Sequence, residues 1–380
     1  MPEPAPPSHE PAVPGPAAAC APAAPPARRA LRAAVVGTGK ISEEHLRFLS
    51  RRPGATAVAV CDLSPALAAF AAERAGGGAK PYTDLQAMLE RERPDVAHVL
   101  TPPHTHVEIA ARCLRAGAHV IVEKPAAPTL AELDGLLELA RDRARRLVEN
   151  HNYRFNRPVR RIEDALEAGR LGLVREVEVR LCLSIRARGG RYADENLPHP
   201  SHGLPAGVVQ EFLTHLCYLA LRFLPGEPDR VRARLENAGG GAPFKFDELD
   251  ALVDAGPARA RLRFCCRQWP EGFTLTVRGT RGTAEADLFQ PWVGLMVPRR
   301  GGKQLTPVVN QWRRGAGLMG ASLANFWRKV MQVTPYEGLE TFLAQTYDAL
   351  ERGSEPPVRE EDMRRAARLI DALASPENRL

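Results

Sequence analysis

Between residues 31 and 150, short apolar runs alternate with segments whose apolar positions recur every three to four residues. Arg32 to Val36, Ala57 to Cys61, Val96 to Leu100, His119 to Val122 and Arg146 to Glu149 read as strands. Ile41 to Arg52, Pro65 to Ala75, Thr105 to Ala116 and Leu130 to Arg145 have helical spacing, and Gly117 closes the third of these. Strands that alternate with helices in this way imply βαβ units and a parallel sheet covered on both faces.

The pattern then changes. Asn156 to Ala168 is a further helix ended by Gly169, and from Leu173 the period becomes two, as in "VREVEVRLCLSI". Further strands are expected at Val231 to Leu235, Ala251 to Val253, Ala258 to Cys266, Phe273 to Gly279, Thr283 to Leu288 and Val293 to Val297. A long apolar helix, Val208 to Phe223, interrupts them, and helices at Tyr336 to Glu351 and Glu361 to Leu373 close the chain. The fold class is therefore α/β: a doubly wound parallel sheet, then an α/β domain on an open, mostly antiparallel sheet. The division runs as a Pro/Ala-rich disordered tail over 1–30, the parallel-sheet domain over 31–152, and the second α/β domain over 153–380.

Composition narrows the function classes. The tail lacks a basic segment ahead of a leucine-rich run, so no signal peptide is expected. Eighteen consecutive apolar residues occur nowhere, which argues against a spanning helix. The seven cysteines show neither CxxC nor zinc spacing, so reduced core thiols in a cytoplasmic protein, and no metal, are expected. The net charge is +7, and no acid lies between Asp287 and Glu337, where Arg299, Arg300, Lys303, Arg313, Arg314, Arg328 and Lys329 fall. No nucleic-acid motif accompanies this basic segment. "QWRRGAGLMGASLANFWRKVMQ" mixes tryptophans with cations as peripheral membrane helices do, but its glycines weaken a helix, and an oligomer contact explains it as well.

"AAVVGTGKISEEHL" places Gly37, Thr38, Gly39, Lys40 and Ile41 between a strand and a helix. Glycines there permit a tight turn and a close approach of backbone to a pyrophosphate, with the helix N-terminus supplying N–H groups. Ser42 stands where a third glycine is usual. Asp62 ends the second strand, where an acid binds a ribose 2′-hydroxyl. No arginine directly follows it, which favours NAD over NADP.

"TPPHTHVEIAARCLRAGAHVIVEKPAAPTLAEL" and "NYRFNRPVRRIEDALEAGRLGLVREVEV", with the glycine turn, resemble the Gfo/Idh/MocA family of glucose–fructose oxidoreductase and inositol dehydrogenase-like enzymes. The resemblance implies NAD(P)-dependent hydride transfer at a secondary alcohol of a sugar, nucleotide-sugar or related polyol, in a homodimer or homotetramer formed through the second sheet. It places Lys124 of the Glu-Lys-Pro motif beside the nicotinamide and the reacting hydroxyl. Glu123 is its support and Pro125 fixes the turn through a cis bond. An ammonium there stabilises the developing alkoxide. Thr101 and Pro102 are expected along the nicotinamide ribose, His106 at the start of the next helix as a further cofactor-binding residue, and Asn152, Tyr153 and Arg154 along the substrate.

Glu211 and His215 share a helix face at spacing four, as an acid holding a general base. The family usually has Asp for Glu211, Gly for Leu213 and Asp for Tyr218. Leu213 is therefore expected to crowd a sugar ring, and Tyr218 to remove an anionic contact. These departures leave a second reading open, a dinucleotide-binding regulator of the same fold. The polar stretch "RARGGRYADENLPHPSHG" is expected to be a substrate lid.

Overall fold

In the computed structural model, residues 1, 29–186, 190, 192–194, 199–299, 302–331 and 336–378 are described. The tail expectation and most of the polar stretch before residue 199 lie outside them.

Residues 31–149 form β1 (Leu31–Val36), α1 (Ser42–Arg51), β2 (Ala55–Cys61), α2 (Pro65–Ala75), β3 (Lys80–Tyr82), α3 (Leu85–Glu92), β4 (Val96–Val99), α4 (His106–Arg115), β5 (His119–Val122), α5 (Leu130–Asp142) and β6 (Leu147–Glu149). The strands lie in the order β3-β2-β1-β4-β5-β6, all parallel. This is the doubly wound order in which ligands bind beyond the strands' carboxyl ends. Helices cover both faces, so Ala33 to Val36 and Val96 to Val99 are all buried. The edge strand β3 has too little apolar sequence to stand out, whereas α3, with Leu85, Met88 and Leu89 at helical spacing, is an element the sequence reading omitted. Asp84 caps α3 by accepting from Gln86 N and Ala87 N.

The second part contains α6 (Arg157–Glu167), β7 (Val174–Cys182), α7 (Val208–Phe223), β8 (Arg230–Glu236), β9 (Glu248–Ala255), β10 (Ala258–Cys265), β11 (Gly272–Gly279), β12 (Thr283–Asp287), β13 (Trp292–Met296), α8 (Gly302–Val330), α9 (Glu337–Arg352) and α10 (Glu360–Ala374). Its sheet order is β13-β12-β11-β7-β10-β9-β8. Only β7 and β10 pair in parallel; the other neighbours are antiparallel. Helices α6, α7 and α10 contribute to one apolar core against this sheet.

Two features depart from the sequence reading. The chain from 153 onward is not one packing unit. Helix α9 puts Leu339, Phe342, Leu343 and Tyr347 into the core of the first sheet. The glycine-bearing basic segment forms α8, a helix of 29 residues. A Cβ on Gly317 would stand 3.4 Å from the Trp292 indole nitrogen, so one of those glycines serves close packing against β13. The six described cysteines are free and buried.

Candidate active site

The β1–α1 turn is built for close approach. Gly37 has φ +93°, and a Cβ on it would meet the backbone of Leu100 and Thr101 at 2.9 Å. No side chain caps α1, so the N-terminus of that helix faces the turn at Gly39, Lys40 and Ile41. At the end of β2, Asp62 accepts from Thr38 N at 2.9 Å, Thr38 Oγ1 at 2.6 Å and Ser64 N at 2.9 Å. Burial works against its ionisation, but these hydrogen bonds outweigh it and hold the carboxyl below its usual range. A glycine cradle, a free helix N-terminus and an ionised acid at the second strand's tip together fit a dinucleotide.

His106 does not face that cleft. It is fully buried, with Nδ1 at 2.7 Å from the Pro125 carbonyl and Nε2 at 2.6 Å from the Thr101 carbonyl. It therefore ties the end of β4 to the end of β5 and reaches a cofactor only through those loops. Thr101 and Pro102 remain at the surface of the same turn, where Thr105 Oγ1 donates to Thr101 Oγ1 at 2.7 Å.

Beyond β5 the Lys124–Pro125 bond is cis. Glu123 accepts from Asn150 Nδ2 at 2.5 Å and lies 3.6 Å from His45 Nε2. His45 in turn meets His98 at 2.7 Å, and His98 meets Tyr347 Oη at 2.7 Å. On the other side, Ala126 N donates to Glu149, whose second oxygen pairs with His151 at 2.8 Å. The Glu-Lys-Pro turn is thus braced from both flanks by buried polar groups.

Lys124 points out of this turn onto α7. Its Nζ donates to the Glu211 carbonyl at 3.2 Å, lies 3.7 Å from Glu211 Oε1, and stands 5.6 Å from the Phe212 ring centroid. Gln210 reinforces the contact by donating to the Pro128 carbonyl at 2.7 Å. The side chains of Lys124 and Glu211 are only 14% and 11% exposed, so the pair is largely enclosed. Glu211 also accepts from Ser201 Oγ and, at 3.1 Å, from Tyr192 Oη, with His199 Nδ1 at 4.0 Å. Burial pushes its pKa upward; Lys124, Ser201, His199 and Tyr192 more than reverse this. Of the expected lid, Tyr192 and the stretch His199 to Gly203 lie over Glu211, and the latter touches the turn after β4.

The expected Glu211–His215 unit does not form. His215 Nδ1 is instead 2.9 Å from Tyr218 Oη, one turn along α7. Tyr218 also accepts from Tyr153 N at 3.2 Å and stacks on His151 with centroids 4.3 Å apart. Tyr218 is nearly fully buried, and its hydroxyl proton needs an acceptor. Among the described residues His215 Nδ1 supplies it, which leaves the imidazole proton on Nε2. Burial, then the charges of Lys124 and His151, hold His215 well below its usual pKa, so the ring is neutral. The departure at Tyr218 is therefore a replacement partner for the histidine.

Leu213 does not crowd the site. It lies midway between Glu211 and His215 in sequence, hence about 200° around the helix from each, and is fully buried in the second core. Tyr153 packs its ring edge on His215 at 4.9 Å and on Phe273 at 4.8 Å, so it does line the histidine. Arg154 turns away to Asp362 at 3.0 Å, and the Asn152 carbonyl backs onto Gly338 of α9. Those two residues tie the segment after β6 to α9 and α10. Sequence reading missed His151, Tyr192, Ser201 and His45; only Tyr218, three residues after His215, had a legible spacing.

The family described as "Oxidoreductase family, NAD-binding Rossmann fold" matches residues 31–151, and its C-terminal domain matches residues 159–285. An uncharacterized oxidoreductase of Schizosaccharomyces pombe is 29% identical over 231 residues, 59% of each chain. D-glucoside 3-dehydrogenase of Escherichia coli is 32% identical over 160 residues, 42% of this chain and 44% of that one. The chain thus spans about three fifths or less of the length of these curated relatives. The WlbA dehydrogenase of Bordetella pertussis, solved with NADH and UDP-GlcNAcA, shares the fold. Its TM-score is 0.70 at 19% identity, over 92% of this chain and 96% of that one.

Proposed function

The chain belongs to the Gfo/Idh/MocA oxidoreductase family, and from that premise we propose that it interconverts a secondary alcohol and a ketone on a sugar, nucleotide-sugar or related polyol, using NAD(P). The observation that carries this reading is the contact of Lys124, from the first domain, with Glu211 of α7, the helix that also bears His215. A nicotinamide dinucleotide held at Gly37, Thr38, Gly39, Lys40, Ile41 and Asp62 supplies or takes up the hydride. One named relative is a D-glucoside 3-dehydrogenase and one protein of the same fold was solved with a nucleotide-sugar, which supports the substrate class.

The chain's own groups account for the proton. In reduction, Lys124 Nζ donates a proton to the oxygen as negative charge develops there; in oxidation it takes that proton back. Glu211 keeps the ammonium paired between turnovers. His215, protonated on Nε2, donates a hydrogen bond that orients the same oxygen, and Tyr218 fixes that tautomer. This reverses the sequence expectation that His215 accepts the proton while Glu211 holds its ring. Tyr192, Ser201 and His199 close the pocket over Glu211 and limit water. The test is NADH binding followed by a sugar and polyol panel with NAD⁺ and NADP⁺. Binding with turnover that Lys124→Ala abolishes supports the reading; binding without turnover on any substrate rejects it in favour of a regulator.

A further inference from the structure

Helix α8 is the least covered element of the described chain. Leu305, Trp312, Met319, Leu323, Phe326 and Trp327 are 58%, 81%, 71%, 65%, 60% and 61% exposed. At 100° per residue they fall within an arc of about 100°, a single stripe along the helix. The opposite side holds the helix to the sheet through polar contacts. Buried Asn310 donates to the Val297 carbonyl at 3.0 Å, and buried Asn325 to the Pro291 carbonyl at 3.5 Å. The apolar stripe is thus turned away from the protein's own core.

Beside that stripe lies a second unusual surface. A groove of about 890 Å³ between α8, β13 and α6 is lined by eight arginines and one acid, Glu337. Glu337 pairs with Arg157 and Arg328, and Arg314 pairs with Glu285. Arg161, Arg170, Arg281 and Arg313 have no carboxylate partner among the described residues. Arg313, Arg314 and Arg328 belong to both the helix and the groove.

We propose that α8 and this groove form a docking surface for an anionic phospholipid bilayer, with the stripe in the interface and the arginines on headgroup phosphates. The two observations select the occupant together. Self-pairing of α8 would cover the stripe but leave Arg161, Arg170, Arg281 and Arg313 unmatched, because residues 288–336 contain no acid. A polynucleotide satisfies arginines but not leucine, methionine and phenylalanine. An anionic membrane surface offers acyl chains and phosphates within one layer. No helix of the described residues is long and apolar enough to cross a membrane, so α8 lies in the plane of the bilayer. Its 29 residues span about 44 Å there.

The test is co-sedimentation of the full chain with phosphatidylcholine vesicles, with and without about one third phosphatidylglycerol. Binding is expected only to the anionic vesicles, weakening with salt. It should fall at least about tenfold in Trp312→Ser/Trp327→Ser and in Arg161→Glu/Arg281→Glu. Dinucleotide affinity, read by fluorescence, should stay unchanged in both variants and show that they fold. Three results overturn the proposal: equal binding to neutral vesicles; no vesicle binding but tight binding of inorganic pyrophosphate; or a concentration-dependent dimer abolished by Trp312→Ser in a chain that ignores vesicles.

Discussion

Tyr218 Oη stands 2.9 Å from His215 Nδ1, and the same oxygen takes the Tyr153 N–H. One hydroxyl thus sets the tautomer of the histidine and ties α7 to the segment that leaves the first domain. Tyr218→Phe should lower kcat by about tenfold to a hundredfold, with the ring free to adopt either tautomer. It should cost about 1–3 kcal/mol of stability through the unpaired Tyr153 N–H. Imidazole nitrogen NMR should show the proton on Nε2 in the wild type and a mixture in the variant. A pure Nε2–H signal in both would remove Tyr218 from the mechanism.

Lys124→Ala should reduce kcat/KM by at least about a hundredfold, since the neutral His215 ring supplies a hydrogen bond but not the charge of the ammonium. The same change should raise the Glu211 carboxyl, because Lys124 is the largest of the influences that oppose burial there. Carboxylate infrared bands followed through a titration report this independently of turnover. Unchanged titration would show that the two groups are not paired in solution.

Gly37→Ala forces a side chain into a positive-φ position, 2.9 Å from backbone. The expected result is at least a tenfold weaker dinucleotide affinity and a loss of about 1–3 kcal/mol in a melt. Gly39→Ala, where a Cβ meets nothing within 4 Å, should leave the melt almost unchanged and serves as the comparison.

Stability should fall as pH drops below about 6.5. His98 and His215 both titrate well below that ordinary value, pulled down first by burial. The unfolded chain therefore binds more protons than the folded one between the depressed pKa values and 6.5, and acid favours unfolding. Melts from pH 8 to pH 5 should show the decline, and His215→Gln should make it shallower. A flat profile in the wild type would contradict neutral, buried imidazoles.

Arg154→Ala should destabilise the chain by about 1–3 kcal/mol, since Asp362 is left partly buried without its partner. KM for any substrate found should hardly change. A large rise in KM with an intact melt would return Arg154 to the substrate pocket.

What the sequence determined by itself is whatever repeats over short distances. The alternation of apolar runs and helical spacing set the parallel sheet, because strand and helix periods follow from backbone geometry. Gly37 and Asp62 were legible because a tight turn and a strand tip need their residue types locally, and Lys124 because its Glu-Lys-Pro motif resembles that of a known family. Tertiary structure alone decided the partnerships. Glu211 and His215 share a helix face, yet Glu211 pairs with Lys124, 87 residues away, and His215 with Tyr218. Arg154 looked like a pocket residue until α10 placed Asp362 beside it. The return of α9 to the first core, and the turning of the α8 stripe outward, were likewise invisible. An amphipathic pattern states that a face must be covered or used; which surface covers it depends on how distant segments close on one another, and no short-range period encodes that.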